Sequence, residues 1–438
     1  MGMGMGAPAR WRLGLNLAFV AVAACGWWVV AVPPSWRGSA TIAWHVVLTL
    51  LMLASWRLSC QHPDTPQQGT LLAGVLARLL VLALPVFTTH DAERYLWDGA
   101  VALAGLDPYR LAPDAPAVVS LRALWPTPAE HAAYPTLYPP GALALFALSA
   151  TAGPVGGLWL WKLLATAASV ATLWVMRAVL VRHGVARHFP LVALSPLLLL
   201  EAGVGAHVDA VSTLALALGL WATVAHKPLA AGAALGMGVL VKLAPVVAAL
   251  PLAVALLRHS GWQRALTLCL GLLAMLVGGY GLALVLGLQP VGSLGVFFTK
   301  WRGGSPVFAA LASLARPEVA GALALGLTLA LLALAAWLAR SHWVSGLQLA
   351  LAAPLLFSPV VFPWYLCLLV PAIALQPRAW LLAWVSAVPL GYEVLDKFVG
   401  EGVWQPAVWP LWAVALAWLL GAGADLWCHR SRGPNHAA

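Results

Sequence analysis

The residues of this sequence that could do chemistry are concentrated in one polar stretch, from residue 89 to residue 138. It opens with HDAERYLWDG (residues 90–99), in which helical spacing puts Asp91, Tyr95 and Asp98 on one face. Aromatic rings stack on the C–H faces of a pyranose, and a nearby carboxylate can remove the proton of an attacking hydroxyl. The pattern predicts a surface helix that binds a sugar, with a solvated loop of no catalytic role as the alternative.

Charged residues next to apolar runs form a second group of candidates. Lys242 lies within a long apolar stretch, where a charge is costly and marks a functional site by default. A lysine that extends from a helix end to the interface is the alternative. His207 and Asp209 lie at the mouth of an apolar run and could contact a phosphate, an acceptor or a divalent ion, or form a polar helix terminus. Two such groups do not make a metal site, and we predict none.

Two further charges lie inside apolar runs and have no assigned chemistry. Glu201 is expected to be protonated, paired or lining a cavity, and the sequence leaves these alternatives open. Arg78 is expected to extend its side chain toward the membrane interface and needs no functional role.

The composition defines the elements that must position these residues. Of the 438 residues 62% are hydrophobic and only 9% are charged, which excludes a water-soluble domain. Apolar runs near the length of about 20 residues that a helix needs to span a bilayer recur along the chain. We therefore predict one all-α polytopic membrane domain over residues 1–438, with about 11 to 14 transmembrane helices.

The basic residues set the predicted orientation. The net charge of +10 comes from residues at the ends of apolar runs, as the positive-inside rule requires, and not from a nucleic-acid surface. With Arg10 and Arg12 inside, residues 89–138 and 288–306 become outer loops and both termini are cytoplasmic. The run 138–155 opens with two prolines and is short, so we predict that it does not cross. The basic cluster between Arg177 and His188 then lies inside.

Several motifs occur together in one order along the chain. They are DAERYLWDG, GLDPYR and YPTLYPPGA in the first outer loop, GAHVDA at 205–210, GMGVLVKLAPVV at 236–247, FFTKWRGGSPVF at 297–308 and FSPVVFPWYLCLLVP at 357–371. This ordered set resembles the polyprenyl-phosphate-mannose-dependent mannosyltransferases of the glycosyltransferase family 87 type, within the GT-C superfamily. The resemblance covers residues 85–371.

The resemblance implies a GT-C-type bundle with a large first periplasmic loop, in a bacterial cytoplasmic membrane with the active site facing outward. It implies Asp91 as the general base of an inverting transfer of a hexose, with mannose favoured, from a polyprenyl-phosphate donor to a lipid-linked or glycan acceptor. The implied contacts to the donor phosphate and lipid are Lys242, Arg302, Lys300 and His207. The implied substrate-binding residues are Arg94, Tyr95, Asp98, Tyr109, Tyr138, Asp209, Trp301 and Trp364.

The expected partners are membrane lipids, the lipid-phosphate sugar and the acceptor, with no nucleic acid. No cofactor is expected, since the lipid-phosphate sugar is a substrate, and a requirement for a divalent metal stays open. Three positions depart from the family pattern, namely Val208, Gly303 and Phe362. They keep a catalytically inactive relative open as one alternative. A secondary transporter or lipid flippase is the other, although the charged candidates collect at one face and not at the bilayer midplane.

Overall fold

The chain folds almost entirely into helices. The computed structural model describes residues 6–125, 127 and 129–431. The described residues contain no β-strand, and one isolated parallel bridge pairs Gly303 with Val360. The α-helices are, in chain order, α1 (Ala7–Ala24), α2 (Gly26–Ala31), α3 (Arg37–Gln61), α4 (Gln68–Leu82), α5 (Asp91–Leu103), α6 (Val119–Arg122), α7 (Pro140–Ala150), α8 (Gly153–Arg182), α9 (Pro190–Ala193), α10 (Pro196–Gly203), α11 (Asp209–Val224), α12 (Pro228–Val241), α13 (Val246–Ser260), α14 (Trp262–Val285), α15 (Leu294–Lys300), α16 (Pro306–Leu314), α17 (Pro317–Leu338), α18 (Trp343–Phe357), α19 (Leu369–Leu375), α20 (Ala379–Ala387), α21 (Leu395–Glu401) and α22 (Trp409–Ser431).

Short 3-10 helices connect or extend several of these. They are η1 (Pro34–Trp36), η2 (Pro116–Val118), η3 (Ala129–His131), η4 (Ala186–His188), η5 (Pro363–Leu368) and η6 (Val388–Val394).

Six helical segments are long and apolar enough to cross a bilayer, which needs roughly 20 residues at about 1.5 Å each. They are Ala7–Ala31, Pro34–Gln61, Gly153–Arg182, Trp262–Val285, Pro317–Leu338 and Trp409–Cys428. In the last three of these helices no more than 17% of the apolar window is buried, so their leucine and valine side chains face outward as in lipid. This confirms the predicted all-α polytopic membrane architecture.

The chain passes back and forth between two ends of the bundle. The site end contains Asp91 at the start of α5, Asp209 at the start of α11 and Lys242 between α12 and α13. We call the opposite end, where most arginine residues lie, the basic end. There the start of α1 contacts the turn after α3, since the Arg12 guanidinium donates to the carbonyl of Thr65 at 2.7 Å. The basic end carries Arg10, Arg12, Arg57, Arg177, Arg182, Arg187, Lys227, Arg258, Arg264, Arg340 and Arg378.

Ten helices of the described chain each connect the two ends on their own, namely α3, α4, α8, α11, α12, α13, α14, α17, α18 and α22. Four further connections within the described residues are each made by two consecutive helices, namely α1 and α2, α9 and α10, η5 and α19, and α20 and η6. The described chain therefore begins and ends at the basic end. The termini proper, residues 1–5 and 432–438, for which we predict a cytoplasmic location, lie outside the described residues.

The segment after the first outer loop contains the helix α7. Helix α7 has 11 residues, about half of what a bilayer crossing needs, and packs against α5 and α8. The contact with α5 is close, since a Cβ added to Gly99 would lie 2.3 Å from the carbonyl oxygen of Phe146. Helix α7 therefore stays at the site end, and α8 carries the chain to the basic end.

The expectation for Arg78 is wrong. Its side chain does not extend to an interface but is fully buried in α4. The guanidinium donates to the Ser169 hydroxyl at 2.7 Å and to the carbonyls of Gly74 and Ala193 at 2.9 Å each. A buried charge is tolerated when hydrogen bonds replace its water, so Arg78 ties α4 to α8 and α9.

Candidate functional site

A cavity of about 650 Å³ opens at the site end. Its walls come from the start of α5, the segment 130–139, the start of α11, the turn after α12 and the 293–301 loop, closed by the 351–368 and 398–404 segments. One part of the wall is polar and aromatic. The other part is apolar and consists of Leu243, Val246, Val247, Leu294, Leu351, Pro354 and Leu355.

Asp91 presents its carboxylate to the cavity from the first turn of α5. The side chain is 16% exposed, and the helix N-terminus favours its negative charge. The Asp91 backbone N–H donates to the Thr89 hydroxyl oxygen at 3.2 Å. One carboxylate oxygen lies 3.7 Å from Nε2 of His131, and the other lies 3.7 Å from Nε2 of His207. The carboxylate is thus flanked by two imidazoles and open on its remaining side.

These neighbours set the ionisation of Asp91. Burial acts to raise its pKa, but the nearby imidazole of His131, the imidazole of His207 and the charge of Lys242 act in the opposite direction and outweigh it. The pKa of Asp91 is therefore lowered from its ordinary value. At neutral pH the group is an ionised carboxylate able to accept a proton.

A chain of buried side chains continues behind Asp91. Nδ1 of His207 lies 2.7 Å from one oxygen of Glu201, and the Tyr392 hydroxyl donates to the other oxygen of Glu201. Nε2 of His207 lies 3.1 Å from the Thr89 hydroxyl, and the imidazole stacks on the Trp364 indole at 4.0 Å. Of the alternatives for Glu201, the structure therefore shows the paired one.

Lys242 and Asp209 form an ion pair next to Asp91. Nζ of Lys242 donates to Oδ1 of Asp209 at 2.6 Å and lies 4.1 Å from the centroid of the Tyr365 ring. Asp209 is buried, whereas the Lys242 side chain is 21% exposed and lines the cavity. Lys242 thus occupies the turn between α12 and α13, with its charge at the wall of the cavity.

Asp98 does not lie on an exposed face of α5, and its partner Arg94 lines the cavity although its side chain is largely buried. Their roles in substrate binding stay predictions. Both are buried, with Nε of Arg94 2.9 Å from Oδ1 of Asp98. Arg94 also donates to the carbonyls of His131 and Tyr134 at 3.0 and 2.8 Å. Burial raises the pKa of Asp98, although the charge of Arg94 opposes this shift. Helix α5 is buried because α7 and the 129–138 segment cover it, so Arg94 acts as a clamp on that segment.

The predicted aromatic residues divide into two groups. Tyr95, Tyr138, Trp301 and Trp364 line the cavity. Tyr109 lies behind it and supports the wall, because its hydroxyl donates to the Tyr138 carbonyl at 2.9 Å.

Lys300 and Arg302 flank Trp301 at the rim of the cavity. Nζ of Lys300 lies 5.4 Å from the Tyr134 ring centroid, and the Arg302 guanidinium carbon lies 5.2 Å from that of Phe308. The bridge at Gly303 holds this loop, since the Gly303 carbonyl accepts the Val361 N–H at 2.9 Å.

His131 and Tyr392 are among the site residues that the sequence reasoning missed. His131 was not selected, although it belongs to the outer loop that was, and its ring lies 5.7 Å from that of Trp301. Tyr392 was missed because it is 191 residues from its partner Glu201 and no local pattern connects them. In the described part of the chain, no group of three His, Cys, Asp or Glu side chains could hold a metal ion.

Of the three departures from the family pattern, Val208 and Phe362 line the cavity, and Gly303 lies in the loop that follows Trp301. Val208 is buried in the apolar cluster with Tyr95 and Trp161. Gly303 has a φ of 151°, and Phe362 stacks on Trp364 at 4.6 Å. None of these three replaces Asp91, Lys242 or either flanking histidine.

The fold and this cavity define a polytopic membrane protein with a polar site at one end of a helical bundle, beside an apolar wall. Comparison with known proteins identifies the family. Residues 12–258, more than half of the chain, match the MptA_B family model for the N-terminal domain of alpha-(1->6)-mannopyranosyltransferases, and the chain belongs to this family. No curated protein and no solved structure matches it.

The family match confirms the resemblance to GT-C mannosyltransferases and supports a glycosyltransferase over a transporter. The matched range contains Asp91, His131, Glu201, His207, Asp209 and Lys242. The Trp-Arg loop and the Pro-Trp-Tyr segment lie beyond it.

Proposed function

We propose that the protein transfers mannose from a polyprenyl-phosphate donor to a hydroxyl of a lipid-linked or glycan acceptor. The observation that carries this proposal is the ionised, partly exposed Asp91 carboxylate in a cavity that also has a lysine and a long apolar wall. A carboxylate alone fits many reactions. A base, a cation and an apolar surface in one cavity fit a sugar attached to a lipid phosphate.

In the proposed reaction Asp91 accepts the proton of the acceptor hydroxyl while the hydroxyl oxygen attacks the anomeric carbon. The bond between that carbon and the phosphate oxygen breaks, and its electron pair leaves on the lipid phosphate. Attack from the face opposite the phosphate inverts the anomeric configuration. A general base contributes about 10²- to 10⁴-fold in such a step.

Cationic groups would stabilise the leaving phosphate. Lys242 is the best candidate because its charge lies in the cavity and it contacts the ring of Tyr365. Lys300 and Arg302 would meet the donor at the rim. His207 is fully buried, and a contact between Asp91 and His207 fits its position better than a contact with the phosphate.

The charge distribution supports an outward-facing site. Arginine and lysine residues concentrate at the basic end, whereas most acidic residues lie at the site end. By the positive-inside rule the basic end would face the cytoplasm and the cavity would open on the outer face of the bacterial cytoplasmic membrane. This arrangement suits a role in building the cell envelope.

Sugar transfer by the purified protein in liposomes tests the proposal. Wild-type protein would receive either polyprenyl-phosphate [³H]mannose or nucleotide-linked [³H]mannose, with a lipid extract of the source organism as acceptor. We expect labelled product from the lipid-phosphate donor alone. Asp91→Asn should lower the rate of its formation by at least about 100-fold. Asp114→Asn, which changes an exposed aspartate of the same loop, should leave the rate unchanged. Transfer from the nucleotide sugar would contradict the proposed donor.

A further inference from the structure

The buried side chains behind Asp91 have no direct access to a substrate. Glu201, His207 and Tyr392 are almost completely buried, and none of them lines the cavity. A carboxylate and an imidazole in an apolar bundle are costly to keep unless each is hydrogen-bonded or paired. Their arrangement therefore needs an explanation beyond packing.

The position of each atom indicates where the hydrogens lie. Glu201 receives the Tyr392 hydroxyl on one oxygen and faces Nδ1 of His207 with the other, which fits an ionised carboxylate with two donors. On the opposite edge of the ring, Nε2 faces the Thr89 hydroxyl oxygen and an oxygen of Asp91. Each ring nitrogen thus has a carboxylate oxygen nearby, that of Glu201 at 2.7 Å from Nδ1 and that of Asp91 at 3.7 Å from Nε2.

The imidazole is also held rigidly in this orientation. It stacks on Trp364 with an interplanar angle of 13°, and its backbone N–H donates to the Glu201 carbonyl at 2.8 Å. At Gly205 a Cβ would lie 2.3 Å from Nδ1 of His207, so only glycine leaves room for the ring. The ring cannot turn away from either carboxylate without moving these neighbours.

We propose that Glu201 keeps His207 as a buried imidazolium, and that this fixed cation acts as a positioning residue that holds Asp91 ionised and aimed into the cavity. The imidazolium of His207 then lies between two carboxylates, that of Glu201 on one side and that of Asp91 on the other. Tyr392 supports Glu201 by donating to its free oxygen. The catalytic part of this inference rests on the proposed function, whereas the charge state of His207 does not.

Other titratable groups also face these residues. Around Asp91 they are His90, His131, Lys242, Asp209, Tyr95, Tyr138 and Tyr365. Around Glu201 they are Tyr392, Cys367 and Asp209. A Glu201→Gln substitution leaves all of them in place, so its effect on Asp91 is transmitted through His207 and the lost charge.

The distances of Glu201 and His207 from Asp91 predict the direction in which the pKa of Asp91 changes. Glu201→Gln removes one anion on the far side of the ring and, through it, the cation on the near side, 3.7 Å from Asp91. Since Coulomb energy falls with distance, the loss of the nearer cation dominates. Asp91 should then take up a proton more readily.

Two readouts test the proposal. In ¹⁵N-histidine spectra of the protein in nanodiscs, the His207 signals, identified by their absence in His207→Gln, should show two protonated ring nitrogens at neutral pH. In Glu201→Gln the His207 ring should lose one of its two protons, so that only one ring nitrogen is protonated. In the transfer assay Glu201→Gln should move the acid limb of kcat/KM to higher pH by about 1 to 3 units, the range for one charge within 4 to 6 Å. Tyr392→Phe should give a smaller shift in the same direction.

Glu318→Gln, which changes an exposed glutamate at the start of α17, is the matched control and should change neither readout. A neutral His207 ring in the wild type would overturn the proposal. So would an imidazolium that persists in Glu201→Gln, or an acid limb that does not move. A wild-type protein that transfers no mannose would instead refute the proposed function, and the spectra would still decide the state of His207.

Discussion

At the scale of single residues, His131 is the neighbour whose removal should most clearly alter Asp91. Burial acts to raise the pKa of Asp91, and the interaction with His131, whose Nε2 lies 3.7 Å from the carboxylate, is the strongest influence against it. In His131→Ala the pKa of Asp91 should therefore rise, and transfer should be lost at a higher pH than in the wild type as the carboxylate takes up a proton. The rate of transfer, measured as a function of pH for both proteins, gives the pH at which activity is lost.

The matched control for that experiment is His259→Ala, an exposed histidine at the basic end, which should leave the profile unchanged. An acid limb at the same pH in wild type and His131→Ala would show that His131 does not influence the base.

The sequence predicted part of the site at this scale. Asp91 was selected from the polar stretch and from the family resemblance, and Lys242 and Asp209 because their charges interrupt or border apolar runs. The structure brings all three to one cavity. The pairing of Glu201 with Tyr392 could not be predicted, because it depends on packing between helices that are far apart in the sequence. His131 could not be distinguished from other polar residues of the loop, because its contact with Asp91 also depends on tertiary packing.

At the scale of secondary-structure elements, the anchoring of the outer loop on α5 depends on Arg94. Its guanidinium is shared between Asp98 and two carbonyls of the 131–134 segment. Arg94→Met should lower the free energy of unfolding by about 3 kcal/mol. This is the low end of the range for breaking a buried ion pair, because Asp98 can take up a proton and avoid an unpaired buried charge. Thermal unfolding in detergent would measure the loss.

Arg110→Met, an exposed arginine in the same loop, is the control and should leave the unfolding temperature within error of the wild type. Equal unfolding temperatures for Arg94→Met and wild type would mean that the clamp does not stabilise the loop.

The helices were predictable because their apolar runs are long and are separated by proline, glycine and charged residues. The short run that forms α7 has 11 residues, and its two prolines and its length are the basis for the prediction that it does not cross. The environment of α5 was not predictable. Its polar face looked solvent-exposed, and only the packing of α7 and the 129–138 segment shows that Tyr95 and Asp98 are buried.

At the scale of the whole molecule, the separation of charges between the two ends predicts the orientation in the membrane. In a cysteine-free background, Ser120→Cys places a thiol at the exposed site end, and Ser260→Cys places one at the exposed basic end. A membrane-impermeant maleimide added to intact cells should label Ser120→Cys, and Ser260→Cys only after permeabilisation. The opposite pattern would refute the outward-facing site.

The composition and the spacing of apolar runs were sufficient to predict the all-α membrane architecture, because a bilayer restricts the fold to a few solutions. The cavity itself could not be predicted. It forms where the start of α5, the turn at Lys242 and the loop at Trp301 meet, and these elements are brought together by tertiary packing alone.

The most direct test of the central claim is mannose transfer by Asp91→Asn from polyprenyl-phosphate mannose, measured beside wild type and Asp114→Asn. If Asp91 is the general base, kcat should fall by at least about 100-fold while the KM for the donor stays close to that of the wild type. Transfer by Asp91→Asn at the wild-type rate would contradict the assignment of Asp91 as the base and of this cavity as the active site.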